Sequence, residues 1–169
     1  QDFIDKEAYR PIVARIRNGE PFPHPKKAAI SKKSTSKKRI VYIYPKQENL
    51  VLKLMTHLLL RRYDYLFCPN LYSFRAGHGV KEAICYLTSR PNIGAMWSYK
   101  ADISNYFNSI PVEGLLPHLK KVLIQEPILY SFLSGLLLDP LVLDDGILHP
   151  EEKGIMAGSP ISTFLANLY

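Results

Sequence analysis

The chain has 169 residues, 47% hydrophobic and 22% charged, with 22 Lys/Arg against 15 Asp/Glu and a formal net charge of +7. That length and apolar content suit one domain of ordinary size and exclude a disordered chain. Two cysteines exclude a disulfide framework, five scattered histidines offer no zinc spacing, and no apolar run reaches the ~18 residues of a membrane span.

In chain order, residues 2–18 read as a helix. Asp2 or Asp5 stands at its start and Gly19 past its end, and Pro11 argues for a kink or a later start. Pro21, Pro23 and Pro25 make a stiff extended linker. Two short strands flank Ser34-Thr35-Ser36, which predicts a β-hairpin over residues 28–44. Residues 26–39 carry seven basic side chains and no acidic one. Residues 47–66 read as a long helix with Leu50, Val51, Leu54, Met55, Leu58 and Leu59 as its apolar positions. Residues 79–90 predict another, with Val80, Ala83, Ile84 and Leu87 at i, i+3, i+4, i+7 spacing, stopped by Pro91 and Gly94. Residues 95–103 read as a strand.

Two apolar helices are expected near 112–124 and 127–138, with Pro117 disturbing the first. Residues 141–143 and 147–149 predict a small hairpin across Asp145-Gly146. Pro160 opens a last helix. Cys68 and Cys85 stand among apolar residues and read as reduced core thiols. Helices and short strands mix without regular βαβ alternation, so the fold class is α+β. The chain begins with Gln1 and stops at Tyr169 inside an apolar run, and reads as a piece of a longer protein.

Charge is unevenly placed. Residues 1–100 hold 19 Lys/Arg and 7 Asp/Glu, and residues 101–169 hold 3 and 8. A basic part joined to an acidic part suggests a polyanion-binding face beside a site that needs carboxylates.

Four motifs in order carry the functional reading. They are Lys38-Arg39-Ile-Val-Tyr-Ile-Tyr-Pro45, Leu71-Tyr-Ser-Phe74-Arg75-Ala-Gly77, Tyr99-Lys-Ala-Asp102-Ile-Ser-Asn-Tyr106-Phe107, and Lys153-Gly-Ile-Met-Ala-Gly158-Ser159-Pro160. Singly each is weak; an isolated Asp at a strand end is most often a cap. Together, from about residue 28 to the end, they resemble the reverse transcriptases of bacterial retroelements, including group II intron proteins.

The resemblance implies a right-hand fold, with residues 1–95 in the fingers, 96–169 in a partial palm, and the thumb absent. It implies that Asp102, with the Ile103 carbonyl, holds Mg²⁺ (or Mn²⁺) for two-metal nucleotidyl transfer. It makes Phe107 the gate that rejects a ribose 2′-hydroxyl. It places Arg39 and Lys32 (or Lys33) on the incoming triphosphate. Lys33, Lys37 and Lys38 lie on the nucleic-acid side, although a solvated loop is the simpler reading of Lys26, Lys27 and Lys37. Gly158 lets the backbone approach the base pair, with Ser159 and Pro160 beside nucleic acid. Arg75 either contacts template or nucleotide, or holds fingers to palm through a buried salt bridge. The implied partners are an RNA template, a primer and dNTPs, without a membrane, in a bacterial cytoplasm. The oligomeric state is left open.

Two departures bear on subgroup. Met156 and Ala157 replace the family's Pro and Gln, which points away from typical group II intron enzymes. Asp144-Asp145 mimics the aromatic-x-Asp-Asp motif, but it precedes the Gly158 motif, has Val142 at −2, and sits on a turn signal. The resemblance puts the true pair beyond Tyr169, so this segment alone is expected to lack polymerase activity. Two readings compete with a DNA polymerase: a non-catalytic RNA-binding module, maturase-like or defence-associated, and an RNA polymerase or template-independent enzyme on the same palm. Intron mobility, retron synthesis, diversity generation and antiviral defence share these motifs.

Overall fold

The computed structural model describes residues 2–31 and 38–169. Among them the helices are α1 (Asp2–Asp5), α2 (Arg10–Arg17), α3 (Lys46–Arg62), α4 (Val80–Thr88), α5 (Tyr106–Ser109), α6 (Val112–Val122), α7 (Pro127–Leu138) and α8 (Ser162–Leu168). The strands are β1 (Lys26–Ser31), β2 (Lys38–Ile43), β3 (Leu141–Asp144) and β4 (Ile147–Pro150), in one sheet of order β2-β1-β3-β4. The class is mixed α and β, as expected.

The N-terminal helix breaks where Glu7 takes φ 51°, and Pro11 falls in the first turn of α2, where its missing N–H costs no helical bond. β1 and β2 pair antiparallel from Lys26↔Ile43 to Ser31↔Lys38. The Ser34–Ser36 turn lies outside the described residues. β3 and β4 pair across Asp145 (φ 46°) and Gly146 (φ 84°), the two left-handed residues of a tight hairpin turn. The Asp144-Asp145 pair is therefore turn chemistry. The sheet joins chain from both sides of residue 95: β1 runs parallel to β3 at Lys26↔Leu143, and the Leu143 N–H donates to Pro25 O at 2.9 Å.

The core gathers behind this sheet. Leu52, Leu115, Leu119, Val142, Ile155, Met156, Phe164 and Leu165 are fully buried in one cluster. Removing each large aliphatic chain from water contributes about 1.5–3 kcal/mol. α3 buries Val51, Leu52, Thr56 and Leu59, whereas Leu58 is exposed. Its apolar arc is too wide for periodicity to fix which side faces in. Thr56 is tolerated inside because its hydroxyl donates to Leu52 O at 2.6 Å. α6 runs through Pro117 unbroken.

Three expectations are corrected. Residues 96–103 form no strand, because no described strand pairs with them; Trp97 is 101% and Tyr99 93% exposed. α4 forms where periodicity put it, but its stripe of Val80, Ile84 and Leu87 is exposed, and none of α4 is buried. Cys68 and Cys85 are both exposed rather than core thiols, Cys85 because it rides on α4.

Candidate nucleotide site

The site is organised around the Phe107 ring. Phe107 lies in α5, a single turn launched by Asn105 in the left-handed region (φ 53°). The Tyr106 hydroxyl reaches across to donate to Ala166 O at 3.0 Å, fixing the turn against α8. Tyr106 packs edge-on against Phe107 at 5.9 Å. Phe107 stays half-buried, and two groups from distant segments close on its open side. The Arg39 guanidinium lies 6.0 Å from the ring centroid, at the outer limit of a cation–π contact. Phe74 approaches edge-on at 6.4 Å. Arg39 projects from β2 on the face opposite Tyr42, as strand alternation requires.

Residues 153–159 form a strap behind the ring. Gly154 (φ 50°) passes so close to α5 that a Cβ there would lie 2.6 Å from Phe107 O and 2.7 Å from Asn108 Cα. Only glycine fits that approach. Ile155 N–H then donates to Phe107 O at 3.0 Å. At the other end Gly158 (φ 96°) presses on β2, where a Cβ would meet Val41 Cβ at 2.8 Å, and Tyr42 N–H donates to Ala157 O at 2.8 Å. Ser162 ties the strap to α8, its hydroxyl placed against Ile155 O and, at 2.7 Å, against Met156 O. The departures in this motif are accommodated. Met156 is fully buried with its sulfur 3.3 Å from the Tyr44 hydroxyl, and Ala157 contributes a carbonyl rather than a side chain. Ser159 is buried and its hydroxyl has no partner among the described residues, while Pro160 is half-buried beside it.

Arg75 faces inward with its side chain 5% exposed. Its guanidinium donates to both Asp64 oxygens (2.8 and 3.0 Å), to Cys68 O (2.8 Å) and to Leu71 O (3.2 Å). In this arrangement it ties residues 64–75 together, and the ion pair is local rather than between two halves of the chain. The same pair holds the Asp64 carboxyl below the usual carboxylate range, hydrogen bonding from Arg75 being the main cause. The loop is further joined to α8 by Asn167, which donates to Ser73 O at 3.0 Å.

Asp102 and Ile103 lie on the exposed, unpaired segment before α5. Lys38 is exposed on β2. Lys32, Lys33 and Lys37 lie outside the described residues. No group of three His, Cys, Asp or Glu side chains gathers to hold a metal among the described residues. One exposed carboxylate with one backbone carbonyl does not match the donor set of a magnesium pair.

Sequence reasoning missed three contributors. Phe74 and Gly154 had a signal, since each sits inside a motif. The link of Tyr42 to Glu151, with the hydroxyl donating at 2.9 Å, had none.

Segments 38–45, 71–77, 102–110 and 153–160 thus meet around one ring or are tied to its neighbours. The profile of the reverse transcriptase (RNA-dependent DNA polymerase) family matches residues 30–169, a span that holds all four. The chain belongs to the reverse transcriptase family. Members of that family are in general nucleotidyltransferases that copy RNA into DNA, binding template, primer and dNTPs with divalent metals. A search of curated proteins finds no match. Among the described residues no helix is long and apolar enough to cross a membrane.

Proposed function

We propose that this chain is the fingers (1–95) and partial palm (96–169) of a bacterial RNA-directed DNA polymerase of the group II intron or retron kind. On this reading the β3–β4 hairpin of the second part is paired to the sheet of the first. The observation that carries it is the convergence on Phe107. A cation from a basic hairpin, an aromatic floor and a glycine strap anchored to both make a seat for a nucleoside triphosphate. Arg39 offers a planar fork to phosphate oxygens, which suits bidentate binding. Lys38 adds positive charge on β2, and the family pattern assigns Lys32 to the triphosphate as well. Phe107, wedged between Tyr106 and Phe74, is a rigid surface against the sugar. Gly158 keeps the strap free of side chain where the base pair would pass, with Ser159 and Pro160 alongside.

Among the described residues, those present do not complete a two-metal site. Asp102, with the Ile103 carbonyl, is the one carboxylate assigned to that chemistry. The remaining pair is placed in chain that follows this segment. The segment by itself is accordingly inactive, and the protein that carries it polymerises.

Template-dependent dNTP incorporation by that protein tests the reading. Asp102→Ala abolishes incorporation while leaving the melting temperature unchanged, because Asp102 is exposed and outside the core. Normal incorporation by the Ala variant contradicts it. The second reading, an RNA-binding module without catalysis, is favoured by the solitary exposed Asp102. It is upheld if the wild-type protein binds RNA in a salt-dependent way but extends no primer.

A further inference from the structure

We propose that the acidic β3–β4 hairpin is a clamp on the basic β1–β2 hairpin, and that Glu151 is the positioning residue that sets Arg39 against Phe107. This rests on the reading of Arg39 as a triphosphate ligand. The two hairpins share little main-chain pairing: one register pair, Lys26↔Leu143, and the bond from Leu143 N–H to Pro25 O. Side chains supply the rest. Glu151 Oε2 takes the Lys27 ammonium of β1 at 2.8 Å, and Oε1 accepts the Tyr42 hydroxyl of β2 at 2.9 Å. One carboxylate thereby holds both strands of the opposite hairpin. Its own backbone is fixed, since Glu151 N–H donates to Pro140 O at 2.8 Å. Asp144 lies a further 3.7 Å from the Lys27 ammonium.

Tyr42 is held at two points. Its hydroxyl is on Glu151, and its N–H is on the strap that carries Gly158. Arg39 is three residues upstream on β2 and points to the opposite face. Pinning Tyr42 therefore fixes the roll and height of the strand from which Arg39 reaches Phe107. Tyr42 is 2% exposed, and its bond to Glu151 is part-buried, the carboxylate side chain being 25% exposed. Burial, then Glu151, drives the Tyr42 phenol upward, and Glu151 raises Lys27. Neither donor loses its proton near neutral pH, so the clamp stays engaged there.

The test uses Glu151→Gln and Tyr42→Phe in the protein that carries this chain, with two readouts that need no catalysis. These are equilibrium binding of dTTP and hydrogen exchange of the 38–43 amides. Tyr42→Phe keeps the ring and its packing, so a folding failure of one variant leaves the other readable. Each variant weakens dTTP about three- to tenfold, the loss of one charge-assisted hydrogen bond. Exchange accelerates at 38–43 and not at 115–123. In primer extension the change falls on KM for dNTP, with kcat within about twofold. Wild-type affinity and wild-type exchange in both variants overturn the clamp and leave the polymerase reading intact. Faster exchange throughout the core also overturns it, because that is a merely structural role. A wild-type protein that neither binds dTTP nor extends a primer overturns the polymerase reading and the positioning role with it.

Discussion

Two regions of this molecule have equally clear sequence patterns and opposite fates. In the first, the sheet with α6, α7, α8 and the strap, apolar residues find partners far away in sequence. Leu115, Leu119 and Phe164 are 0% exposed. In the second, residues 79–104, a regular apolar helix and an aromatic run stand in solvent. Val80 is 76% and Ile84 54% exposed. Periodicity sets the kind of element, since a 3.6-residue repeat makes α4 a helix in either setting. Burial is a matter of what else is there to pack, and for residues 96–103 strand formation itself needs a neighbour to take the backbone bonds.

The sharpest way to break this contrast is a pair of truncations. Phe164→Ala is expected to destabilise the chain by about 3–5 kcal/mol. Trp97→Ala is expected to change stability by under about 0.5 kcal/mol. Denaturant unfolding of the two variants checks this, and equal losses would erase the distinction. A glycine pair comes next. Gly154→Ala forces a Cβ into the Phe107 carbonyl at a positive φ, for an expected loss of about 1–3 kcal/mol. Gly94 meets nothing within 4 Å, so Gly94→Ala leaves the midpoint where it was.

A subtler effect concerns pH. Asp64 titrates lower in the folded chain than in the unfolded one, so its pairing with Arg75 contributes fully above the ordinary carboxylate pKa. That contribution is lost as pH falls through the depressed folded value. Amide exchange over residues 64–78 should therefore quicken in acid, and Arg75→Lys should make it fast already at neutral pH. An acid-insensitive loop would contradict the local role given to Arg75. The smallest effect is chemical: both thiols are exposed, so Cys68 and Cys85 should alkylate in the native state without altering the melting temperature.

Much of the first region was legible from sequence. Asp145-Gly146 specifies its turn by backbone sterics alone, and the helix over residues 127–138 starts at Pro127 as read. The candidate site was legible in part as residue types, because glycine at Gly158, where the strap presses on β2, follows from backbone sterics. Its assembly was not. That Arg39 meets Phe107, or that Glu151 spans two strands of another hairpin, depends on pairing between segments more than 60 residues apart, which no local window contains. The failures of burial, at Leu58, Cys85 and the 95–103 run, share that cause. Leu58 and Cys85 were read as apolar or core positions and the 95–103 run as a strand from their neighbours in sequence, while their neighbours in space decide.

On the proposed function, Phe107 is the surface against which a nucleotide sugar is judged. The most direct measurement is primer extension on an RNA template by the protein that carries this chain, with dNTPs and rNTPs in separate reactions. The ratio of their kcat/KM values is compared between wild type and Phe107→Val. Removing the ring should raise relative ribonucleotide use roughly tenfold or more, while deoxynucleotide use persists. An unchanged ratio in an active, folded variant would contradict the placement of the sugar against Phe107.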